Sequence, residues 1–439
     1  MTASALRRAY LEGRCDPAIE VGACLDRCAE DDLGALISMD QQGALAAAEA
    51  SRERYRGGRS IGIWDGVPFV AKDNIAVAGL PWTAGMNVYR DRIAAEDAEI
   101  IAFLKAEGAI VIGKANLHEA ALGTTNDNPW FGKCHNPHRR GYTPGGSSGG
   151  SGAAVGGGLV PLALGTDTLG SVRVPAAFCS VYGYKPGPDV LSQDGVTPLS
   201  RALDTIGLIA ASAKDLETYG RSLAGLQREA DAASPLVGIL DAAALAACAP
   251  AVRSLYDEAV AALKSAGLKL ERVPWFENPS ANRRAGLALV ITEAYAEHGE
   301  ALVAHPDGFS EELRGFLMFG RDFSPEKLEG SMETIKRLRR EWPKRWAGVD
   351  AVLTPTTPYP AHSFEDPAPD DLADFTAAAN LIGLPASSLP FGCSTDGIPL
   401  GLQLIGKRGE DGALLAHTVG LDGVLNPTGR STLRGKRLC

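Results

Sequence analysis

Short apolar runs alternate with stretches of helical period along most of the chain. Residues 1–55 are helical in texture, Ala-rich and polar. Beyond Ile61, Ile100, Ile101 and Leu104 fall on one helical face, with Asp97 as the predicted N-cap. Gly108 ends that helix, and Ala109-Ile110-Val111-Ile112 predicts a buried strand. A second helical stripe, Val252, Leu255, Ala259 and Leu263, closes at Gly267 before the strand-like 268–270. Further strands are predicted at 67–72, 159–164, 236–240, 351–353 and 399–405. This alternation predicts an α/β fold: one large domain over 1–439, its mixed β-sheet flanked by helices on both faces. Residues 275–346, richer in helix and charge, predict a helical insertion over one sheet edge. The Pro-rich 355–369 lies between strand-like pieces and is no domain boundary.

Composition narrows the function classes. The chain has 439 residues, 45% hydrophobic and 22% charged, as in globular proteins. A net charge of −10 argues against nucleic acid as the main partner. No 18-residue uncharged apolar run suggests a membrane span, and the start, MTASALRRAYLEG, lacks the apolar core of a signal peptide. Eight cysteines are too sparse for a disulfide framework, and Cys24 and Cys28 read as helix packing rather than a zinc pair. A cytoplasmic enzyme without metal or cofactor is the expectation.

The candidate chemistry lies between Gly141 and Pro186. Nine of the first 18 residues there are glycine, so this stretch works through backbone conformation and close approach. Ser147 and Ser171 each sit among glycines, and Lys72 ends an apolar run. Serines on glycine-rich turns with a lysine in apolar surroundings suggest a hydrolase whose base is an amine. Gly145-Gly146-Ser147-Ser148-Gly149 also fits the G-x-S-x-G nucleophile elbow, for which His298, His305, His362 and His417 are available bases. Thr166 to Ser171 follows a predicted strand and reads equally as an ordinary turn or as a nest of N–H groups for an oxyanion. Gly108 to Ala115 approaches a phosphate-binding loop, but its apolar interior and Ala115 favour a strand and turn.

Several ordered motifs together resemble the amidase signature family. They are the segment GGSSGGSGAAVGGGLVPLALGTDTLGSVRVPAAFCSVYGYKP, the lysine segment Gly66-Val67-Pro68-Phe69-Val70-Ala71-Lys72-Asp73-Asn74, the turn Gly113-Lys114-Ala115-Asn116, and the late stretches 380–386 and 397–406. The resemblance spans residues 5–420 and is weakest over 275–346. It implies the amidase signature fold, with a twisted sheet, and a Ser-cisSer-Lys triad. Ser171 falls on the nucleophile, Ser147 on the bridging serine in a cis peptide bond, and Lys72 on the base. The backbone N–H groups of Thr168, Leu169, Gly170 and Ser171 fall on the oxyanion hole. A serine hydroxyl needs such a base, and a lysine serves only when neutral, which apolar burial favours.

The resemblance therefore implies hydrolysis of a small or medium amide, carbamate or ureido C–N bond through a Ser171 acyl-enzyme. Two alternatives stay open: the amidase subunit of a tRNA-dependent amidotransferase, and a serine esterase with a histidine base. The expected partner is a small-molecule amide, with no nucleic acid and no membrane; a homodimer is left open. Leu169 stands where the family most often has glycine, and Gly187-Pro188-Asp189 replaces the usual Thr-Gly after Lys185-Pro186. The run from Phe316 to Phe319 reads as helix core or as a hydrophobic substrate wall.

Overall fold

The computed structural model describes residues 2–227 and 234–427. Its strands, in chain order, are β1 (Leu36–Met39), β2 (Pro68–Lys72), β3 (Ile110–Ala115), β4 (Asp127–Asn128), β5 (Gly132–Lys133), β6 (Leu162–Asp167), β7 (Tyr182–Lys185), β8 (Thr205–Ala210), β9 (Leu236–Ile239), β10 (Lys269–Arg272), β11 (Ala351–Pro355), β12 (Ala386–Cys393) and β13 (Pro399–Ile405). Eleven of them form one sheet in the order β1-β3-β2-β6-β8-β7-β12-β13-β11-β9-β10, and β4 and β5 form a separate ribbon. The β3–β2–β6 block is parallel, as are the β11–β9–β10 pairs, while the centre is antiparallel. The fold is a single α/β domain with a twisted mixed sheet.

Both sheet faces are covered, and the strand sequences show why. Phe69 and Ala71 of β2 join one apolar cluster, while Val70 joins another. Val111 of β3 and Leu162 and Leu164 of β6 belong to the first, and Ile110, Ile112 and Ala163 to the second. Side chains alternate across a strand, so a sheet buried on both sides demands continuous apolar runs. Within the Gly108–Ala115 run, Ile110–Ala115 is such a strand, and its Lys114 points inward. Lys114 Nζ donates to the carbonyls of Ile75 (2.6 Å) and Pro81 (2.8 Å).

The helix predicted after Asp97 runs Glu99–Ala106, without a side-chain cap. Asp97 instead accepts from Ala78 N (2.8 Å) and pairs with Lys105 (2.7 Å). The N-terminal 55 residues are mostly helical, interrupted by β1. Residues 275–346 form the helices Pro279–Ala304, Glu311–Arg321 and Pro325–Arg345. The first of these packs on both others and on the helix Thr376–Ile382.

β2, β3 and β6 run parallel and end at the same side of the sheet. Lys72 closes β2, the Asn116–His118 turn follows β3, and Thr166 and Asp167 close β6. In open α/β sheets ligands settle beyond the carboxyl ends of parallel strands.

Candidate active site

Among the described residues three lysines are wholly buried: Lys72, Lys114 and Lys185. Of these, only Lys72 reaches a serine among the described residues. Its Nζ donates to Ser147 Oγ (2.7 Å) and Thr166 Oγ1 (2.8 Å), and Asn74 Nδ2 donates to the same Thr166 hydroxyl (3.1 Å). Burial disfavours the ammonium and outweighs the attraction of Asp204 and Asp167, so the Lys72 pKa falls to about 7. Near neutral pH a large fraction of Lys72 is therefore the free amine, the form that accepts a proton.

The Gly146–Ser147 peptide bond is cis. Ser148 precedes the helix Gly149–Gly156, and its hydroxyl donates to the Thr166 carbonyl (3.1 Å), tying that helix to β6. Close approach explains the glycines around it. A Cβ at Gly150 would lie 2.4 Å from the carbonyl oxygens of Ala35 and Asn116. A Cβ at Gly170, where φ is +133°, would lie 2.2 Å from Thr376 Oγ1.

The turn after β6 is built on Asp167. Gly170 N donates to Asp167 Oδ1 (2.8 Å) and Val172 N to Oδ2 (3.1 Å). Gly170 N–H is thus committed inside the protein. Among the described residues, the N–H groups of Thr168, Leu169 and Ser171 make no hydrogen bond. Leu169 keeps its N–H while its carbonyl accepts from Thr376 Oγ1 (2.7 Å). Asp204 steadies the first residue of the turn by accepting from the Thr168 hydroxyl and from Leu199 N (2.8 Å) and Ser200 N (3.0 Å). Burial, partly offset by these hydrogen bonds, raises the Asp204 pKa to about 6.

Asp167 is itself held by Arg173, both side chains being fully buried. Arg173 Nε and Nη2 bond the two carboxylate oxygens (3.0 and 2.8 Å), while Thr376 O, Gln403 Oε1 and Asn380 Oδ1 accept the remaining guanidinium hydrogens. Burial alone would raise Asp167; the Arg173 charge outweighs it and holds the pKa at about 2. Removing one partner strands the other charge. We expect Arg173→Met to cost about 3–5 kcal/mol in urea unfolding, and the Asp167→Asn, Arg173→Met double variant to recover part of the loss. A single variant as stable as wild type would refute this account.

Ser171 opens onto a cavity of ≈ 300 Å³ together with Gly146 and the turn residues Thr168, Leu169 and Gly170. Among the described residues the Ser171 hydroxyl makes no hydrogen bond, so a Ser147–Ser171 link is not formed here. Arg283, Leu287 and Val290 from Pro279–Ala304, and Glu312 and Phe316 from Glu311–Arg321, wall the cavity. From the predicted Phe316–Phe319 run, Phe316 lines this cavity, Leu317 is fully buried, and Met318 and Phe319 are exposed. Arg283 is the only lysine or arginine among the lining residues, where Glu312 and Asp370 also stand. Its Nε donates to Asp374 Oδ1 (2.6 Å). A wider neighbouring cavity of ≈ 1020 Å³ shares His118, Thr125, Glu312, Phe316 and Ala368 with it but does not reach Ser171.

The histidine alternative finds no support in this geometry. Among the described residues no histidine side chain is hydrogen-bonded to Ser147 or Ser171. His298 faces Tyr89 (3.5 Å), and His362 lies on the wider cavity. The residues that sequence reasoning missed are Asp204, Arg283 and His118, together with the hydroxyl contact of Thr166 to Lys72. For His118 the signal was present, two positions beyond the Gly113–Asn116 turn.

The comparisons with known proteins agree on the class. The sequence profile of the Amidase family matches residues 20–415. A glutamyl-tRNA(Gln) amidotransferase subunit of Thermus thermophilus is 34% identical over 465 residues, covering 94% of this chain and 95% of that protein. A crystal structure of an amidase superposes with a TM-score of 0.91 at 31% identity, over 97% of this chain and 100% of the other. The corresponding amidotransferase subunit of Thermotoga maritima superposes with a TM-score of 0.73 at 29% identity, over 82% of this chain and 84% of the other. These subunits correct one expectation. Nucleic acid was excluded as a partner on net charge, yet relatives matching nearly the whole chain are named for a tRNA-dependent reaction. A charge summed over the molecule does not report the potential of one face. No described helix is long and apolar enough to cross a membrane. With its profile match covering most of its length, the chain belongs to the amidase family, as an amidase-signature enzyme.

Proposed function

We propose that this chain hydrolyses a primary amide through an acyl-enzyme on Ser171 and does so as the ammonia-releasing subunit of a tRNA-dependent amidotransferase. The chemistry is carried by one observation, the buried Lys72 amine hydrogen-bonded to Ser147, whose neighbour Gly146 lines the cavity onto which Ser171 opens. Ser171 Oγ attacks the amide carbonyl carbon, its proton passing to Ser147 as the Ser147 proton passes to Lys72. The oxyanion is met by the free N–H groups of Thr168, Leu169 and Ser171. The C–N bond breaks as the proton returns through Ser147 to nitrogen, and ammonia leaves. Water then adds to the acyl carbon by the same route, releasing the carboxylic acid and Ser171.

Two observations support the amidotransferase role. The amidotransferase relatives match this chain almost end to end. The cavity also offers charges of both signs, Arg283 against Asp370 and Glu312. These complement a carboxylate and an ammonium, the two charges of glutamine. In this reading ammonia passes to a glutamyl-tRNA held with partner subunits. A second reading, a free-standing amide hydrolase, is favoured by the superposition on the amidase, which is closer and more complete than that on the Thermotoga protein.

Ammonia release separates the two. We expect slow release from glutamine by the purified chain, rising when co-purified subunits and glutamyl-tRNA are added. Full-rate release from acetamide or benzamide by the chain alone, with no gain from tRNA, would move the assignment to the second reading. Arg283→Met should raise KM for glutamine by about 10- to 100-fold, the worth of a charged hydrogen bond, with little change in kcat. Equal losses on glutamine and on a neutral amide would show that Arg283 does not read the carboxylate.

A further inference from the structure

His118 is a buried polar group on the cavity of the reacting serine that the proposed reaction leaves unused. It follows β3 and is 6% exposed. Its backbone N donates to the carbonyl oxygen of Ser147 (3.1 Å), so its position is fixed relative to the serine that hands on the proton. The ring lines the Ser171 cavity. Nδ1 faces the Thr125 hydroxyl at 3.3 Å. Nε2 has no hydrogen-bond partner among the described residues, and the ring face is packed on Gly123. A Cβ at that position would lie 2.3–2.4 Å from Nε2, Cδ2 and Cε1 alike, so glycine is what lets the ring sit here, and Gly123 lines the same cavity.

We propose that His118 positions the leaving nitrogen: its Nε2 accepts a hydrogen bond from the N–H of the scissile amide, with Nδ1–H directed to Thr125. The inference rests on the Ser171 acyl-enzyme reading and adds a specificity to it. An amide nitrogen carries the hydrogen that Nε2 takes, and an ester oxygen does not. Accepting at Nε2 requires the neutral ring. Burial, with Lys72 nearby and against the pull of Asp127, lowers the His118 pKa to about 4, so the ring is neutral wherever Lys72 can act as base. Held there, the amide N–H plane is fixed and the nitrogen lone pair that develops in the tetrahedral intermediate is turned toward Ser147. Turning this nitrogen is a positioning task, and the proton it receives still comes through Ser147.

The test compares the primary amide the enzyme turns over fastest with the methyl ester of the same acid. His118→Leu should lower kcat/KM for the amide about tenfold, the worth of a neutral hydrogen bond, and leave the ester within about twofold. His118→Gln, whose side-chain oxygen can accept in place of Nε2, should recover part of the amide rate. Parallel losses on amide and ester, or no loss on either, would overturn the proposal, because a ring that merely supports the Ser147 loop serves both substrates alike. A wild-type enzyme in which neither substrate acylates Ser171, read by mass spectrometry of the quenched protein, would instead sink the acyl-enzyme reading on which this one rests.

Discussion

Ser171→Ala should lower amide turnover on the order of 10⁶-fold while leaving the fold and the substrate Kd unchanged. Losing the nucleophile of a serine hydrolase costs about that much, and the remaining rate comes from the oxyanion site and substrate positioning. The structure gives this variant little else to disturb. The Ser171 hydroxyl makes no hydrogen bond among the described residues, so alanine strands no partner. The backbone that matters is kept, since Gly170 N and Val172 N still bond Asp167. The stability should therefore stay within about 0.5 kcal/mol of wild type, as for surface or uncoupled positions. Labelling by a serine-reactive phosphonate should be lost with Ser171 and survive in Ser148→Ala. A Ser171→Ala enzyme that retains even a hundredth of the rate, or a label found on Ser147, would remove Ser171 from the attacking role.

The parts of this site that a linear reading reached are those that lie within a few residues of each other. Lys72 shows itself because a charged side chain ends an unbroken apolar run, and the rest of β2 is apolar because the strand is buried on both faces. Ser147 and Ser171 show themselves through glycine, whose density reports backbone approaching backbone, as at Gly150 and Gly170. What stayed hidden arrives from far along the chain. Asp204 reaches Thr168 across 36 positions, and Thr376 reaches Leu169 across 207. Nothing local marks either residue. The committed Gly170 N–H was equally illegible, since a run of four N–H groups does not say which one turns back to Asp167.

The fold was read by the same rule and missed by the same rule. The sequence predicts β13 at its observed bounds because Leu400, Leu402 and Leu404 recur at the strand period of two. β12 was missed because Ser387, Ser388 and Pro390 make it read as loop. Its serines are tolerated inside the sheet by partners on other elements, Thr418 for Ser387 (2.6 Å) and Thr356 for Ser388 (3.0 Å). β1, β7 and β8 are short or glycine-containing; β7 and β8 are buried by their neighbours in the sheet, while β1, at its edge, is only partly buried.

Lys72→Met should lose activity and gain stability, a combination that separates a catalytic base from a structural lysine. The rate should fall about 10³- to 10⁴-fold at neutral pH, the upper part of the range for a general base. In wild type the limb of log kcat/KM against pH should rise through about 7, where Lys72 gives up its proton, and flatten above. In Lys72→Met that limb should vanish, leaving a slow rate that climbs with hydroxide. The stability sign follows from the same burial. The unfolded lysine holds its proton up to its ordinary value of 10.5, while the folded one releases it near 7. Between those values the unfolded state binds more protons, so burying Lys72 costs stability as pH falls from about 10.5, and the cost levels off below about 7. Methionine carries no proton and fits the same apolar space, at the loss of two hydrogen bonds to Ser147 and Thr166. The net gain at pH 7 should be a few kcal/mol and should shrink toward zero as pH approaches 10.5. A Lys72→Met protein less stable than wild type at neutral pH, or one whose rate still rises through pH 7, would mean that Lys72 is held charged by its carboxylate neighbours. In that case it could not take the proton from Ser147.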